Sequence, residues 1–159
     1  MTEAAGLLDL ARQRGVMIAT AESCTGGLIA GAITDVPGSS DVFDRGFVTY
    51  SNAAKIQMLK VPAVLINHHG AVSEEVARAM AEGAIAKSQA DLAVSVTGVA
   101  GPGASERKPE GLVCFGLAMR GRAAHTETQR FGAMGRAQVR QRTVEHALNL
   151  LYAALSKKD

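Results

Sequence analysis

A chain of 159 residues with no Pro/Gly/Ser-rich divider is long enough to bury a real core, so one domain spanning residues 1–159 is expected. Hydrophobic residues supply 47% of it and charged residues 20%, but aromatics only 4% with no tryptophan, so the core must be mainly aliphatic. The net charge of +2 and the scarcity of stacking aromatics argue against a nucleic-acid partner, and the lack of a long apolar run or signal-type leader argues against a membrane; a cytoplasmic protein with a small-molecule substrate is expected.

In chain order, Leu7, Leu8, Leu10 and Ala11 fall at helical spacing, and Gly15 can end that short helix. A buried strand over residues 16–21 follows and leads through TAESCTGG (20–27) into LIAGAITDV (28–36), a small-residue helix. Ser23, Cys24 and Thr25 thus sit at a strand-to-helix turn. Peptide N–H groups in a helix's first turn lack internal partners, so this turn can hold a phosphate, carboxylate or oxyanion, with Gly26 and Gly27 admitting a ligand close to the backbone. FDRGFVTYS reads as the next strand, ending near Ser51, and NAAKIQML (52–59) as a helix with Asn52 as its N-cap and Lys55 in its first turn. His69 and Gly70 form a turn ahead of a helix capped by Ser73, started by Glu74 and Glu75, and apolar along Val76, Met80 and Ile85.

DLAVSVTG (91–98) is the clearest buried strand, and it empties into the glycine- and proline-rich stretch 98–111. Loops after buried strands commonly form ligand sites in α/β sheets, whereas spacing alone allows a plain hairpin connection. Gly98, Gly101 and Gly103 do not make a dinucleotide-binding fingerprint, and no phosphate-binding P-loop occurs. LVCFGLAM (112–119) and residues 126–131 read as a hairpin, and Val139, Val144, Ala147, Leu148, Leu151, Tyr152 and Leu155 as one face of a long helix ending near the lysines. Alternating elements plus a hairpin predict an α/β fold: a three-layer α/β/α domain with a mixed sheet.

Cys24 and Cys114 have no CxxC spacing, which suggests reduced thiols; Cys24 can be read as a nucleophile or as a small apolar residue. Adjacent His68 and His69 point in different directions, so no metal is expected. From residue types alone, Ser23 reads as a helix cap, Lys55 as a solvated side chain, and Glu22 either as a carboxylate holding Lys55 or the loop or as a structural hydrogen-bonding group.

AESCTGG (21–27), VPGSSDVFDRGFVTYSNAAK (36–55), HGAVSEEVA (69–77) and VTGVAGP (96–102) together resemble the CinA carboxy-terminal domain family, over roughly residues 5–155. The resemblance implies an amidohydrolase that converts nicotinamide mononucleotide to nicotinic acid mononucleotide and ammonia without metal or organic cofactor, acting as a homodimer. It further implies a serine–lysine pair, with Ser23 as nucleophile, Lys55 as base, and Tyr50 orienting either group or the amide. For that chemistry Lys55 must be partly buried, since desolvation lowers an amine's pKa. Thr25, Gly26, Gly27, Thr97, Gly98 and Gly101 are the implied substrate contacts, and Arg140 matches a family arginine that can pair with the phosphate or lie on a solvated helix face. Ala104 and Glu110 depart from the family pattern, the latter placing an anion near the expected phosphate. Those departures keep a second reading open: a noncatalytic ligand-binding or regulatory domain. A third is an amidase for another amide.

Overall fold

A computed structural model describes residues 3–157. Helix α1 (Ala4–Arg14) ends at Gly15, whose φ of 65° supplies the left-handed cap, and β1 (Ile18–Glu22) follows. After α2 (Leu28–Thr34) come β2 (Phe43–Val48), α3 (Asn52–Leu59), α4 (Ala63–His69) and α5 (Glu74–Ala86). Strand β3 (Leu92–Gly98), the hairpin β4 (Leu112–Met119) and β5 (His125–Arg130), and α6 (Arg136–Ser156) complete the domain.

The five strands lie in the order β2-β1-β3-β4-β5, with β2, β1 and β3 parallel and β4 and β5 antiparallel. Leu7, Ile29, Val144 and Leu151 pack with Val94, Val96 and Phe115 on one face, where α1, α2 and α6 lie. Leu59, Ile66, Val76 and Met80 pack with Ala19, Ala21 and Ala93 on the other, beneath α3, α4 and α5. The mixed sheet between two helical layers is the fold expected from the sequence.

Several local expectations differ: β2 ends at Val48 rather than near Ser51, and Tyr152, expected on the apolar face of α6, is exposed. The N-cap of α3 is Ser51 rather than Asn52, because the Ser51 hydroxyl accepts from the Ala54 N–H at 3.0 Å. Strand β1 covers Ile18–Glu22 rather than residues 16–21, starting two residues later and ending one residue later than expected. Residues 63–69, which carry no expected element beyond a turn at His69 and Gly70, form α4 with His69 as its last residue: seven residues are too few for a periodic signal, and the helix starts directly after Pro62.

The sheet face under α5 carries small residues because the helix lies almost on the backbone. A Cβ at Gly116 would fall 2.4 Å from the Ala77 carbonyl oxygen and 2.5 Å from the Ser95 hydroxyl. Ser95 itself donates to that carbonyl, fixing α5 against β3. Gly116→Ala should therefore lower stability by about 2 kcal/mol through overpacking, although alanine suits a strand at least as well as glycine. Thermal or urea unfolding checks this, and an unchanged midpoint would contradict the packing described.

Candidate active site

The carboxyl ends of β1, β2 and β3 lie side by side, and successive connections pass over opposite faces of the sheet: β1 to β2 through α2 on one, then β2 back across β1 to β3 through α3, α4 and α5 on the other. Such a reversal leaves a crevice where open α/β sheets bind ligands. Ser23 follows β1 there, Thr49 and Tyr50 follow β2, and Thr97 and Gly98 end β3. The Ser23 N–H donates to the Val96 carbonyl at 3.1 Å and the Thr49 N–H to the Glu22 carbonyl at 2.8 Å, so the strand ends are locked together.

Lys55 enters from α3. Helical side chains lean toward the amino end of their own helix, and this one reaches back to the residues just before α3. Its Nζ lies 2.9 Å from Ser23 Oγ, 2.9 Å from the Thr49 carbonyl and 3.2 Å from the Tyr50 carbonyl, with the residue only 1% exposed. An ammonium would donate to all three oxygens. A neutral amine would donate to the two carbonyls and turn its lone pair toward the Ser23 hydroxyl. Burial pushes the amine below its ordinary value, while Glu106 and any Cys24 thiolate would act in the opposite direction. The thiolate is not formed near neutral pH, because burial pushes the Cys24 thiol up to about 12. Cys24 is thus a packed apolar residue beside the hydroxyl.

The turn after Ser23 is built around Glu22. This buried carboxylate accepts from the Thr25 hydroxyl and from the N–H groups of Gly27, Ile29 and Ala30. The amino end of α2, expected to bind a ligand anion, is therefore occupied by the protein's own carboxylate. Thr25 is fully buried and bonded within the turn, and Gly26 and Gly27 supply positive φ of 57° and 106°; none of the three lines the cavity beside Ser23. Glu22 holds the loop and not Lys55. Arg140 also serves the turn, donating to the carbonyls of Cys24 at 3.1 Å and Thr25 at 3.2 Å from α6, so those donors are not turned to a phosphate.

The cavity beside Ser23 measures about 200 Å³ and is bordered by Cys24, Lys55, Thr97, Gly98, Glu106 and Arg136, among others. A roomier hollow of about 430 Å³ between the start of α5 and the β4–β5 hairpin contains neither Ser23 nor Lys55. Thr97 lines the smaller cavity, although its hydroxyl is committed to the Ala71 carbonyl at 2.8 Å. Gly101 lies farther out, in a shallow continuation bounded by residues 98–105 and Arg136. Tyr50 meets the Ser23–Lys55 pair through its carbonyl; its phenol is exposed and accepts from Arg136 at 3.0 Å. Arg136 donates as well to the Gly101 carbonyl, bridging the glycine loop and the segment after β2.

Arg136 and Glu106 escaped the sequence reading. The available signal for Arg136 was its place in the first turn of α6, where a cation is electrostatically disfavoured and needs another reason to be present. The two unusual loop residues fit without disturbing the cavity. Ala104 is not among the residues with positive φ, and Glu110 accepts from the N–H groups of Gly103 and Gly135 instead of facing the site. Among the described residues, no group of three or more His, Cys, Asp or Glu side chains is arranged to hold a metal, and no helix is long and apolar enough to cross a membrane.

Two stability outcomes follow from these contacts. Glu22→Gln should cost at least about 2 kcal/mol, because an amide presents hydrogens where four donors converge; urea unfolding checks this. For Lys55 the sign follows from proton uptake. Its folded-state pKa is lowered, so below about 10.4 the unfolded chain binds a proton that the native state resists, and stability falls with falling pH until the folded pKa is passed. Unfolding of Lys55→Met measured between pH 6 and 10 should lack this component, so its stability relative to the parent should be greatest at the acid end.

The CinA C-terminal domain model matches residues 2–155. A CinA-like protein of Chlorobium phaeobacteroides (strain BS1) is 55% identical over 151 residues, which cover 92% of this chain and 36% of that protein. Another, from Chloroherpeton thalassium, is 49% identical over 152 residues covering 93% and 36%. The chain thus spans about a third of the length of the curated relatives it matches. Among solved structures, the competence/damage inducible protein CihA of Agrobacterium tumefaciens superimposes with a TM-score of 0.87 at 47% identity, covering 95% of this chain and 96% of that one. The competence damage-inducible protein A (ComA) of Klebsiella pneumoniae subsp. pneumoniae MGH 78578 superimposes at 0.91 with 34% identity, covering 99% and 100%. With its motifs in order along the chain and its architecture shared with solved relatives, this protein belongs to the CinA C-terminal domain family.

Proposed function

We propose that the protein is a serine–lysine amidohydrolase that hydrolyses the carboxamide of nicotinamide mononucleotide to the carboxylic acid and ammonia. The observation that carries this reading is the buried Lys55 amine 2.9 Å from the Ser23 hydroxyl, with two carbonyls to take its hydrogens. A serine hydroxyl becomes a nucleophile only when a nearby base accepts its proton, and a desolvated lysine is such a base.

In the proposed reaction, neutral Lys55 takes the Ser23 proton as Oγ attacks the carboxamide carbon. The resulting Lys55 ammonium returns that proton to the departing nitrogen as the C–N bond breaks. Ammonia leaves, and the acyl group remains on Ser23 as an ester. Water then attacks the ester as Lys55 accepts its proton, and when the C–O bond to Ser23 breaks the Lys55 ammonium returns that proton to Oγ, releasing the acid and restoring the neutral amine. The Thr49 and Tyr50 carbonyls suit both stages, since they aim the lone pair when the amine is neutral and share its charge when it is protonated. The mononucleotide's phosphate would lie outward, toward Arg136 and the glycine loop, because Arg136 borders both the cavity and its outer continuation whereas Arg140 borders neither.

The noncatalytic alternative drew on Ala104 and Glu110, and the relaxed backbone of one and satisfied carboxylate of the other weaken it. Incubation with nicotinamide mononucleotide should yield ammonia and the acid nucleotide in equal amounts, insensitive to chelators. Ser23→Ala and Lys55→Met should each lower kcat by roughly a thousandfold or more. Undiminished turnover in either variant would remove the assigned role. Because only neutral Lys55 is a base, kcat/KM should rise with pH on its acid limb, with a midpoint below the ordinary lysine value.

A further inference from the structure

We propose that Glu106 makes the cavity select a positively charged ring, so that the enzyme recognises the oxidised pyridinium nucleotide and rejects its uncharged dihydro counterpart. This rests on the amidase reading and adds a specificity-determining residue to it. The geometry is asymmetric. Glu106 borders the inner cavity with Ser23 and Lys55, whereas Arg136 borders both that cavity and its outer continuation along the glycine loop. A ligand with a cation inward and an anion outward matches this order of charges.

Glu106 is held in place and left uncompensated. Its Oε2 accepts from the Ala71 N–H at 3.1 Å, while no Lys, Arg or His lies within ion-pair distance among the described residues. Glu110, a few residues on, has both oxygens bonded to peptide N–H groups. The backbone holding Glu106 is costly: Glu106 and Arg107 have φ of 51° and 63° in a tight turn closed by the Ser105–Lys108 bridge, where glycine or asparagine is usual. Lys108 anchors the same turn through the Val72 carbonyl. Two anchors thus fix a strained turn that presents a carboxylate to the cavity.

With Lys55 neutral, this carboxylate is the only formal charge among the side chains lining the inner cavity besides Arg136 at its rim. A pyridinium entering there would pair with it. The positive ring would also offset the influence of Glu106 that favours protonated Lys55, so the same ligand charge helps keep the base neutral.

Binding to Ser23→Ala protein, measured by calorimetry, tests the proposal with nicotinamide mononucleotide, its 1,4-dihydro form and nicotinamide riboside. With Glu106 intact, the mononucleotide should bind about fivefold or more tightly than the dihydro form, and added salt should narrow the gap. Glu106→Gln should bring the two affinities together by weakening only the cationic ligand, and Glu106→Asp should retain a preference. Arg136→Ala should weaken the mononucleotide without altering riboside binding. A preference unchanged in Glu106→Gln, or a salt-insensitive one in protein that retains Glu106, overturns the assignment. Ammonia release by the parent enzyme separates the two readings: release with no charge preference rejects the role of Glu106 alone, whereas no release and no binding reject the amidase reading with it.

Discussion

The geometry of this protein depends on a carboxylate that never faces the cavity. Glu22 ends β1 and turns back under the turn and the start of α2, taking a hydroxyl and three peptide N–H groups between Thr25 and Ala30 that would otherwise lack partners. A strand-to-helix turn made of small residues has little side-chain packing to define it. Hydrogen bonds to a charged acceptor supply that definition, and they fix where the residue after Glu22 stands. The same bonds stabilise the carboxylate's charge, which makes its burial tolerable.

Around that fixed point the sheet brings together groups far apart in sequence. Parallel pairing of β2, β1 and β3 aligns three carboxyl ends, so the segments leaving them converge without any long loop. The buried lysine is the conspicuous cost of the arrangement, since an amine removed from water destabilises the fold whenever it is charged. Such local conflict between stability and environment is expected where chemistry is performed. In the proposed amidase it is the source of the base.

The architecture was readable because its signals are long or repeated: the apolar run of β3, the spacing along α6 and the alternation of strand with helix. Helix α4 was not, since seven residues after a proline carry no periodicity. The meeting of Ser23 and Lys55 was anticipated only through the family resemblance; as residue types they read as a cap and a solvated cation, and nothing local says that α3 folds over the end of β1. Thr25, Gly26, Gly27 and Arg140 were expected to contact substrate, and in the structure they form or clamp the turn that carries the serine. Sequence does not reveal whether a donor faces a ligand or a carbonyl of its own chain. The determinant is Glu22, left open in the sequence between holding Lys55, holding the loop and a structural hydrogen-bonding role, and it fills the helix end that the ligand was expected to use. Tyr50 shows the same limit, since its contribution to the pair is a carbonyl common to every residue type.

The bond from Arg140 to the turn carries an implication for biosynthesis. The loop bearing the serine precedes four of the five strands in sequence, yet one of its clamps belongs to α6, which follows them all. Arg140 cannot reach the carbonyls of Cys24 and Thr25 until α6, which follows every strand and both residues of the pair in sequence, has been made and docked. Completion of the loop is thereby tied to completion of the domain, and translation order itself delays the finished site until α6 has docked.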